Sequence, residues 1–301
     1  MTDLTADLGF IRLKNPVLLA SGTCGYGAEL ADLLDLERIG GIVTKGISLE
    51  PRAGNPPPRV YETPCGLLNA IGLENVGVEK FLASMLPWLQ GLGCAVIVNI
   101  LGSSLDEYGQ IARRLSGVEG IAALEVNISC PNVKEGGVAF GTSARLAAQV
   151  TRRVKEATDL PVIVKLSPNV TNVCEIARAV EDEGADGISL INTLLGMAID
   201  IERKRPVLGN IFGGLSGPAI KPVALRMVWQ VARCVQIPVI GIGGITTWQD
   251  GVEFLMAGAS AIQVGTATLV EPASALRILD GIERFMEAKA IPDLPSLRIS
   301  P

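Results

Sequence analysis

The chain has 301 residues, of which 48% are hydrophobic, and its 31 acidic and 26 basic side chains give a formal net charge of −5. No basic run favours nucleic acid, no apolar run approaches the ~18–20 residues that span a bilayer, and the first residues lack the basic start and apolar core of a signal peptide. We therefore expect a cytoplasmic protein that binds neither nucleic acid nor membranes. An α/β barrel holds roughly 250 residues in one domain, so residues 1–301 are expected to form a single domain.

The predicted elements begin with a short hairpin from Leu4 to Leu13, and apolar strands then alternate with amphipathic helices. The eight predicted strands are Pro16–Ser21, Gly41–Lys45, Ala95–Leu101, Ala122–Ile128, Pro161–Leu166, Gly187–Asn192, Pro238–Ile242 and Ala261–Gly265. The predicted helices are Glu79–Gln90, Leu105–Leu115, Ser143–Thr158, Val173–Glu183, Pro222–Cys234, Thr247–Ala257 and Ala273–Ala288. Strand–helix alternation implies parallel strands with right-handed crossovers. The pattern predicts an α/β fold, a closed (β/α)8 TIM barrel, with an open doubly wound sheet as the alternative.

Two connections are too long to be simple turns. The segment from Ser48 to Asn75 contains five prolines and predicts an extra hairpin with an irregular arm. The segment from Thr193 to Lys221 contains five glycines. Long loops inside a compact domain are usually functional. Both follow strands, so we expect both over the carboxyl-terminal rim, where barrel active sites lie.

The fourth predicted strand ends by presenting an amide, a hydroxyl, a thiol and a second amide, in the run Asn127-Ile128-Ser129-Cys130-Pro131-Asn132. Pro131 cannot continue a ladder of hydrogen bonds, and Gly136 and Gly137 allow the following loop to bend and move. A thiol at such a strand end is either buried packing or a reactive group. Because the chain has no histidine, any general base must be a carboxylate, Lys, Tyr or Cys.

The six cysteines form no CxxC pair, and the chain has no histidine, so no zinc or iron–sulfur site is expected within it. We interpret Cys65, Cys94, Cys174 and Cys234 as packing thiols.

Polar or glycine residues stand at the ends of all the predicted strands. Each one alone is explained by a cap on its strand or on the next helix, but a ring of such ends favours a ligand site. Lys45 and Lys165 end apolar strands, and a lysine buried there without a partner would cost several kcal/mol. We therefore expect an anionic or electron-rich partner for them. Glycines end the seventh and eighth strands, where barrels commonly bind phosphate.

A flavin mononucleotide satisfies both features, because it carries a phosphate and a ring whose reduced form favours nearby positive charge. No GxGxxG follows the first strand, so direct NAD binding of the Rossmann type is not predicted.

These motifs resemble the catalytic subunit of class 1B dihydroorotate dehydrogenases. The matching segments run in family order through nearly the whole chain and are Ala20-Ser21-Gly22-Thr23, Thr44-Lys45-Gly46, Leu49-Glu50-Pro51-Arg52, Asn69-Ala70-Ile71-Gly72-Leu73-Glu74-Asn75, Asn127-Ile128-Ser129-Cys130-Pro131-Asn132, Val164-Lys165-Leu166-Ser167-Pro168, Ile191-Asn192-Thr193 and Gly241-Ile242-Gly243-Gly244-Ile245. The Asn69–Leu73 segment and the motif around Cys130 are highly specific. A serine at position 130 would instead resemble the membrane-associated class. Cys24 stands where an aromatic residue is expected, a departure that concerns packing of the first loop.

The resemblance implies oxidation of dihydroorotate to orotate in de novo pyrimidine (UMP) biosynthesis. Cys130 would be the base that takes the C5 proton while hydride passes from C6 to flavin N5. The implied substrate-binding residues are Lys45, Asn69, Ala70, Ile71, Gly72, Leu73, Asn127, Asn132, Asn192 and Thr193. The implied FMN-binding residues are Ser21, Lys45, Gly46, Asn99, Asn127, Lys165, Ile191, Gly217, Gly243, Gly244, Gly265 and Thr266.

The class 1B resemblance also implies a partner. Electrons would leave FMN for an electron-transfer subunit that carries FAD and a 2Fe–2S iron–sulfur cluster, and then reach NAD, in a heterotetramer built around a catalytic homodimer. The run from Ile201 to Gly214 either contacts a neighbouring subunit or is a solvated loop.

Three alternatives remain open at this point. The first is a class 1A homodimer that uses fumarate, although the Asn69–Leu73 segment argues against it. The second is a non-redox barrel lyase or isomerase that acts on a sugar phosphate. The third is a non-catalytic flavin-binding module.

Overall fold

A computed structural model describes residues 2–129, 131–132 and 138–299. Eight parallel strands in it close into a barrel, and each strand pairs with the next one along the chain. The strands are β1 (Val17–Leu19), β2 (Gly41–Val43), β3 (Ala95–Ile100), β4 (Ala123–Asn127), β5 (Val162–Leu166), β6 (Gly187–Leu190), β7 (Val239–Ile242) and β8 (Ala261–Val264). The predicted (β/α)8 barrel is confirmed, and the open sheet is excluded because β4 pairs with β5 and β8 with β1.

Helices cover the outside of the barrel. The first, α1, spans residues 78–89 as Val78–Lys80, a π-helical turn Phe81–Met85 and Leu86–Leu89. The others are α2 (Leu105–Leu115), α3 (Ala144–Lys155), α4 (Val173–Asp182), α5 (Lys221–Val231), α6 (Trp248–Met256), α7 (Thr266–Val270) and α8 (Ser274–Ala288). Two short 3-10 turns, Ala28–Leu30 and Leu36–Arg38, take the place of a helix between β1 and β2.

Helix α2 shows why these segments become helical. Ser104 precedes it as the N-cap, and its hydroxyl accepts a hydrogen bond from the Glu107 amide. Tyr108, Ile111 and Leu115 recur at helical spacing and are fully buried. Each buried large apolar side chain contributes roughly 1.5–3 kcal/mol through its removal from water, so this stripe fixes the helix against the barrel.

Six of the eight predicted strands are longer than the observed ones at their carboxyl ends, and the fifth and seventh end where predicted. Ser21, Lys45 and Asn192 all lie past the last paired residue of their strands. The chain leaves the ladder there to form the rim, and these polar groups face a cavity instead of a neighbouring strand.

The predicted amino-terminal hairpin is confirmed. Ala6–Asp7 pairs antiparallel with Arg12–Leu13, and the Asp7 carboxylate accepts a hydrogen bond from the Gly9 amide in the turn. The ring of Phe10 lies against Gly187, where β6 begins, so the hairpin covers the amino-terminal end of the barrel.

The two long connections meet above the opposite end. The first contains the predicted hairpin, Val60–Thr63 paired with Gly66–Asn69. The second contributes Gly213–Ser216 and Leu194–Gly196, and the four segments form one antiparallel sheet, here called the rim sheet. The sequence did not predict that the two loops would join. Within residues 2–129, 131–132 and 138–299, no helix is long and apolar enough to cross a membrane.

Candidate active site

A cavity of about 930 Å³ opens at the carboxyl-terminal end of the barrel, beneath the rim sheet. Every predicted substrate or FMN residue whose side chain the structure describes lines it. These residues are Ser21, Lys45, Gly46, Asn69, Ala70, Ile71, Gly72, Leu73, Asn99, Asn127, Lys165, Ile191, Asn192, Thr193, Gly217, Gly243, Gly244, Gly265 and Thr266. Cys130 and the side chain of Asn132 lie outside the described part of the chain. The structure brings the described residues together, and the role of each remains a prediction.

The rim sheet forms one wall of the cavity. The Asn69 amide nitrogen donates to the Gly214 carbonyl oxygen at 3.2 Å, which ties the first long loop to the second. A Cβ on Gly214 would lie 2.1 Å from the Thr193 hydroxyl oxygen. Only glycine therefore fits at this crossing, which lies within the second long loop, beside the strand that pairs with the first loop.

A cluster of amides and a hydroxyl forms a second wall, where β4 and β6 end. The side-chain oxygen Oδ1 of Asn192 accepts from the backbone N–H of Thr193 at 2.8 Å, so the side-chain nitrogen of Asn192 must point the other way. That nitrogen donates to the Ser129 hydroxyl oxygen at 2.9 Å and to Asn127 Oδ1 at 3.2 Å. The cluster thus holds donors and acceptors in a fixed order, which suits recognition of a polar planar ligand.

Glu125 is a residue that the sequence analysis missed. It lies on β4 inside the barrel, its side chain is fully buried, and it accepts four hydrogen bonds. The donors are Asn99 Nδ2 at 2.7 Å, Lys165 Nζ at 3.3 Å, Ser189 Oγ at 2.8 Å and Gln263 Nε2 at 2.7 Å. The sequence did contain a signal for Glu125. It is the acidic residue in an apolar strand, and it stands two positions before Asn127, so the two side chains face the same side of the strand.

Burial alone would raise the pKa of the Glu125 carboxyl. The Lys165 ammonium, and then the hydrogen bonds from Gln263, Ser189 and Asn99, hold that pKa below its usual value. Glu125 is therefore ionised. An anionic or electron-rich partner was expected for Lys165, and a carboxylate of the same chain lies beside it.

Glycines with left-handed backbone line the far end of the cavity. Gly217, Gly243 and Gly244 have φ of 89°, 125° and 74°. A Cβ on Gly244 would lie 2.7 Å from the Lys221 backbone nitrogen and 2.9 Å from the Gly217 carbonyl oxygen. The bare backbone in this part of the wall leaves amide groups free of side-chain cover, which is the usual form of a phosphate cradle.

A partly buried ion pair supports the turn that follows β7. Lys221 bonds Asp250, and the Asp250 carboxylate also accepts from the Thr246 and Thr247 amides at 2.9 and 2.8 Å. Burial would raise the pKa of Asp250, but the bond from Lys221 and the two amides lower it to about 2. The carboxylate stays charged and stabilises the start of α6.

The residues present fit a flavin mononucleotide. The cavity volume lies within the range of ligand pockets, and the glycine end offers backbone amides. Among the described residues, no donor reaches the buried Asn99 Oδ1, so an acceptor is left for a ring N–H. Lys165 lines the same cavity and carries a positive charge, part of which Glu125 offsets.

The other thiols differ in their surroundings. Cys24 is buried, and desolvation raises its pKa to about 12, so it packs the first loop and stays protonated. Cys94 is partly buried, and burial raises its pKa to about 11. Cys174 and Cys234 are also partly buried. The prediction of packing was wrong for Cys65, which is exposed because it stands in the tight turn of the rim hairpin.

Comparisons with known proteins give one answer along almost the whole chain. A family model described as dihydroorotate dehydrogenase matches residues 4–286. The chain is 58% identical to the dihydroorotate dehydrogenase B (NAD(+)), catalytic subunit of Geotalea uraniireducens (strain Rf4), over 98% of this chain and 97% of that protein. Proteins of the same description from Citrifermentans bemidjiense and Desulforamulus reducens are each 57% identical to this chain over 295 residues. In both cases these residues cover 98% of this chain and 97% of the relative.

Proposed function

This chain belongs to the dihydroorotate dehydrogenase family, and from that premise we propose that it is the catalytic subunit of an NAD-linked enzyme that oxidises dihydroorotate to orotate in pyrimidine biosynthesis. The observation that carries the proposal is identity of 55–58% to relatives of that description over nearly the full chain. The class 1A, lyase and isomerase alternatives are not favoured, because these relatives are named for NAD and for dihydroorotate oxidation.

We propose that FMN is the resident cofactor. Gly243, Gly244, Gly265 and Thr266, at the seventh and eighth strand ends, would hold its phosphate as backbone donors there do in many barrels. Gly217, whose carbonyl oxygen lies against Gly244, would complete this group. A second group would hold the ring and ribityl chain, namely Ser21, Lys45, Gly46, Asn99, Asn127, Lys165 and Ile191. When bound, FMN supplies the two-electron acceptor for the substrate hydride.

The amide cluster would orient the substrate. Dihydroorotate is a cyclic imide with a carboxylate, so it needs both donors and acceptors in the plane of its ring. Asn127 and Asn192 are held by each other and by Ser129, and Asn69 is held by the rim sheet. Prearranged amides lose little freedom on binding, which favours a single productive orientation. Asn132, Thr193, Lys45 and residues 70–73 complete the proposed substrate site.

Cys130 is proposed as the base that removes the C5 proton. It follows Ser129, whose hydroxyl accepts from Asn192 in the cavity wall, so the chain enters this position directly from the substrate cluster. A thiolate is a competent base near neutral pH. The thiol of Cys24 is unsuited to the task because burial keeps it protonated.

The relatives are named as catalytic subunits, which implies a partner subunit. We propose that the partner carries FAD and a 2Fe–2S cluster, passes electrons from FMN to NAD, and joins a homodimer of this chain in a heterotetramer.

The direct test is an anaerobic spectrum of the purified chain loaded with FMN. We expect dihydroorotate to bleach the flavin bands, and an artificial dye, but not NAD, to be reduced quickly in the absence of a partner. Addition of the partner subunit should restore NAD reduction. A flavin spectrum unchanged by dihydroorotate would contradict the activity, whereas rapid NAD reduction by the chain alone would contradict the electron route.

A further inference from the structure

The buried carboxylate of Glu125 connects two residues of the proposed flavin site. Its oxygen Oε1 accepts from Asn99 Nδ2 on β3 and from Lys165 Nζ on β5, and its oxygen Oε2 accepts from Ser189 on β6 and Gln263 on β8. Asn99 and Lys165 line the cavity, but Glu125 does not. We propose that Glu125 is a positioning residue that sets the orientation of the Asn99 amide and the net charge presented to the flavin by Lys165. The inference rests on the proposed FMN site and goes beyond it.

The orientation of Asn99 follows from the chemistry of its partner. An ionised carboxylate only accepts hydrogen bonds, so the Asn99 amide must direct its nitrogen toward Glu125. The Asn99 side-chain oxygen Oδ1 therefore points to the other side, toward Gly46, where an added Cβ would lie 2.7 Å from it. No donor among the described residues reaches this oxygen. Glu125 thus presents a buried acceptor at the edge of the cavity. Without the carboxylate, either face of the amide could point there.

The charge of the site follows from the ion pair. Lys165 and Glu125 have side chains only 7% and 0% exposed, so solvent screens their charges weakly. Together they are close to neutral, and the carboxylate offsets much of the attraction that Lys165 exerts on a reduced, negatively charged flavin. Without the Glu125 carboxylate, the Lys165 ammonium would pair with the reduced flavin instead and stabilise it. Glu125 therefore lowers the midpoint potential of bound FMN.

A structural role alone makes a different prediction. Four donors from four strands converge on Glu125, and loss of such a network destabilises a barrel whether or not a flavin is present. Stability by itself does not move the midpoint potential of a bound cofactor, so the potential separates the two roles.

The test compares the full chain with its Glu125→Gln variant, with Asp186→Asn as the matched control. Asp186 also pairs with a lysine, Lys155, at 2.7 Å and accepts from the Val162 amide, but it precedes β6 at the opposite end of the barrel. FMN affinity is measured by fluorescence titration, and the midpoint potential by anaerobic reduction with mediators in the absence of dihydroorotate.

For Glu125→Gln we expect a higher midpoint potential and FMN affinity at least about tenfold weaker, which corresponds to one well-formed hydrogen bond. Asp186→Asn should match the wild type in both measurements. A potential equal to or below that of the wild type overturns the charge role, and an affinity within twofold of the wild type overturns the orientation role.

If Glu125→Gln does not fold, the pair Lys165→Met and Glu125→Gln/Lys165→Met gives the answer, because the double variant removes both buried charges together. The double variant should bind FMN about fivefold more weakly than Lys165→Met, since Asn99 has lost its anchor. Equal affinities overturn the inference. A wild-type chain that binds FMN but is not bleached by dihydroorotate would refute the proposed function and leave this test intact.

Discussion

Single side chains determine the polarity of the cavity. The Asn192 amide is oriented by one backbone N–H, and the Asn99 amide by one buried carboxylate. In both cases one end of the side-chain amide forms a fixed hydrogen bond, and this bond determines which atom, oxygen or nitrogen, is at the other end. Substitutions at these positions should therefore alter ligand recognition.

Replacement of Cys130 by Ala tests the proposed base. We expect the rate of flavin reduction by dihydroorotate to fall about 10²–10⁴-fold, the usual contribution of a general base, with the flavin spectrum unchanged. In the wild type the rate should rise toward alkaline pH, because a free thiol ionises near ~8.5. Anaerobic stopped-flow absorbance measures both effects.

Cys94→Ala is the matched control for this substitution. Cys94 is a partly buried thiol at the start of β3, at the amino-terminal end of the barrel. The control should reduce its flavin at the wild-type rate. Equal rates in Cys130→Ala and Cys94→Ala would remove Cys130 from the mechanism.

At the scale of elements, the cavity depends on the turns that follow the strands. The turn after β7 combines two glycines of positive φ with the capping box of α6, in which Thr247 and Asp250 bond each other's backbone amides. The glycines leave the backbone bare, and the cap keeps the turn in place. The glycine backbone and the helix cap thus contribute separately to this turn, and each can be changed by its own substitution.

Gly244→Ala changes the backbone contribution. The added methyl would meet Lys221 and Gly217, so we expect FMN affinity to fall at least about tenfold, measured by fluorescence titration. Gly117→Ala is the control, because Gly117 has a φ of +71° but open space around its Cβ position. Both variants should lose about 1 kcal/mol of stability from the positive φ. Wild-type FMN affinity in Gly244→Ala would contradict the assignment of a phosphate cradle.

Asp250→Asn changes the cap. The folded-state pKa of Asp250 is lowered to about 2 from an ordinary 3.8, so its stabilisation is present above about pH 4 and is lost as the pH falls toward 2. At pH 7 we expect the variant to lose about 1–3 kcal/mol of unfolding free energy, and the difference from wild type should narrow below pH 4.

Urea unfolding across this pH range measures the effect of Asp250→Asn. The exposed Asp32 gives the control variant Asp32→Asn, which should follow the wild type at every pH. A deficit in Asp250→Asn that is constant from pH 7 to pH 3 would show that the charge of Asp250 is not its source.

At the scale of the whole molecule, the second long connection exposes apolar side chains on the surface. Leu195, Ile199, Ile201 and Phe212 are all exposed although they are large hydrophobic residues. Clustered exposed apolar residues usually mark a surface that contacts another protein. Ile201 and Phe212 belong to the run from Ile201 to Gly214, for which the sequence left open contact with a neighbouring subunit or a solvated loop. Their exposure favours a contact, and we propose a second copy of the chain as the neighbour.

Ile201→Asp tests that contact. Ile201 is 79% exposed, so the substitution should leave the fold intact while it places an unpaired charge in the proposed interface. We expect the dimer dissociation constant to rise at least about tenfold in sedimentation experiments. The control is Leu33→Asp, which changes an exposed leucine between β1 and β2 and should leave the dimer unchanged. A dimer that tolerates Ile201→Asp would place the interface elsewhere.

Local sequence patterns determined the barrel and most of its cavity wall. The alternation of apolar strands and amphipathic helices is written in neighbouring residues, and it identified all eight strands and the polar groups at their carboxyl ends. The residue at each strand end must face the rim in such a fold, so its position follows from counting along the chain.

Only the tertiary structure decided which partners those groups have. The donors to Glu125 come from positions 26, 40, 64 and 138 residues away, and the rim sheet joins residues 60–69 to residues 194–216. Such contacts depend on the register and closure of the barrel, which bring distant strands side by side. No periodicity within one segment encodes them. For this reason a single glutamate in an apolar strand could signal an inward-facing charge, but not which four donors would surround it.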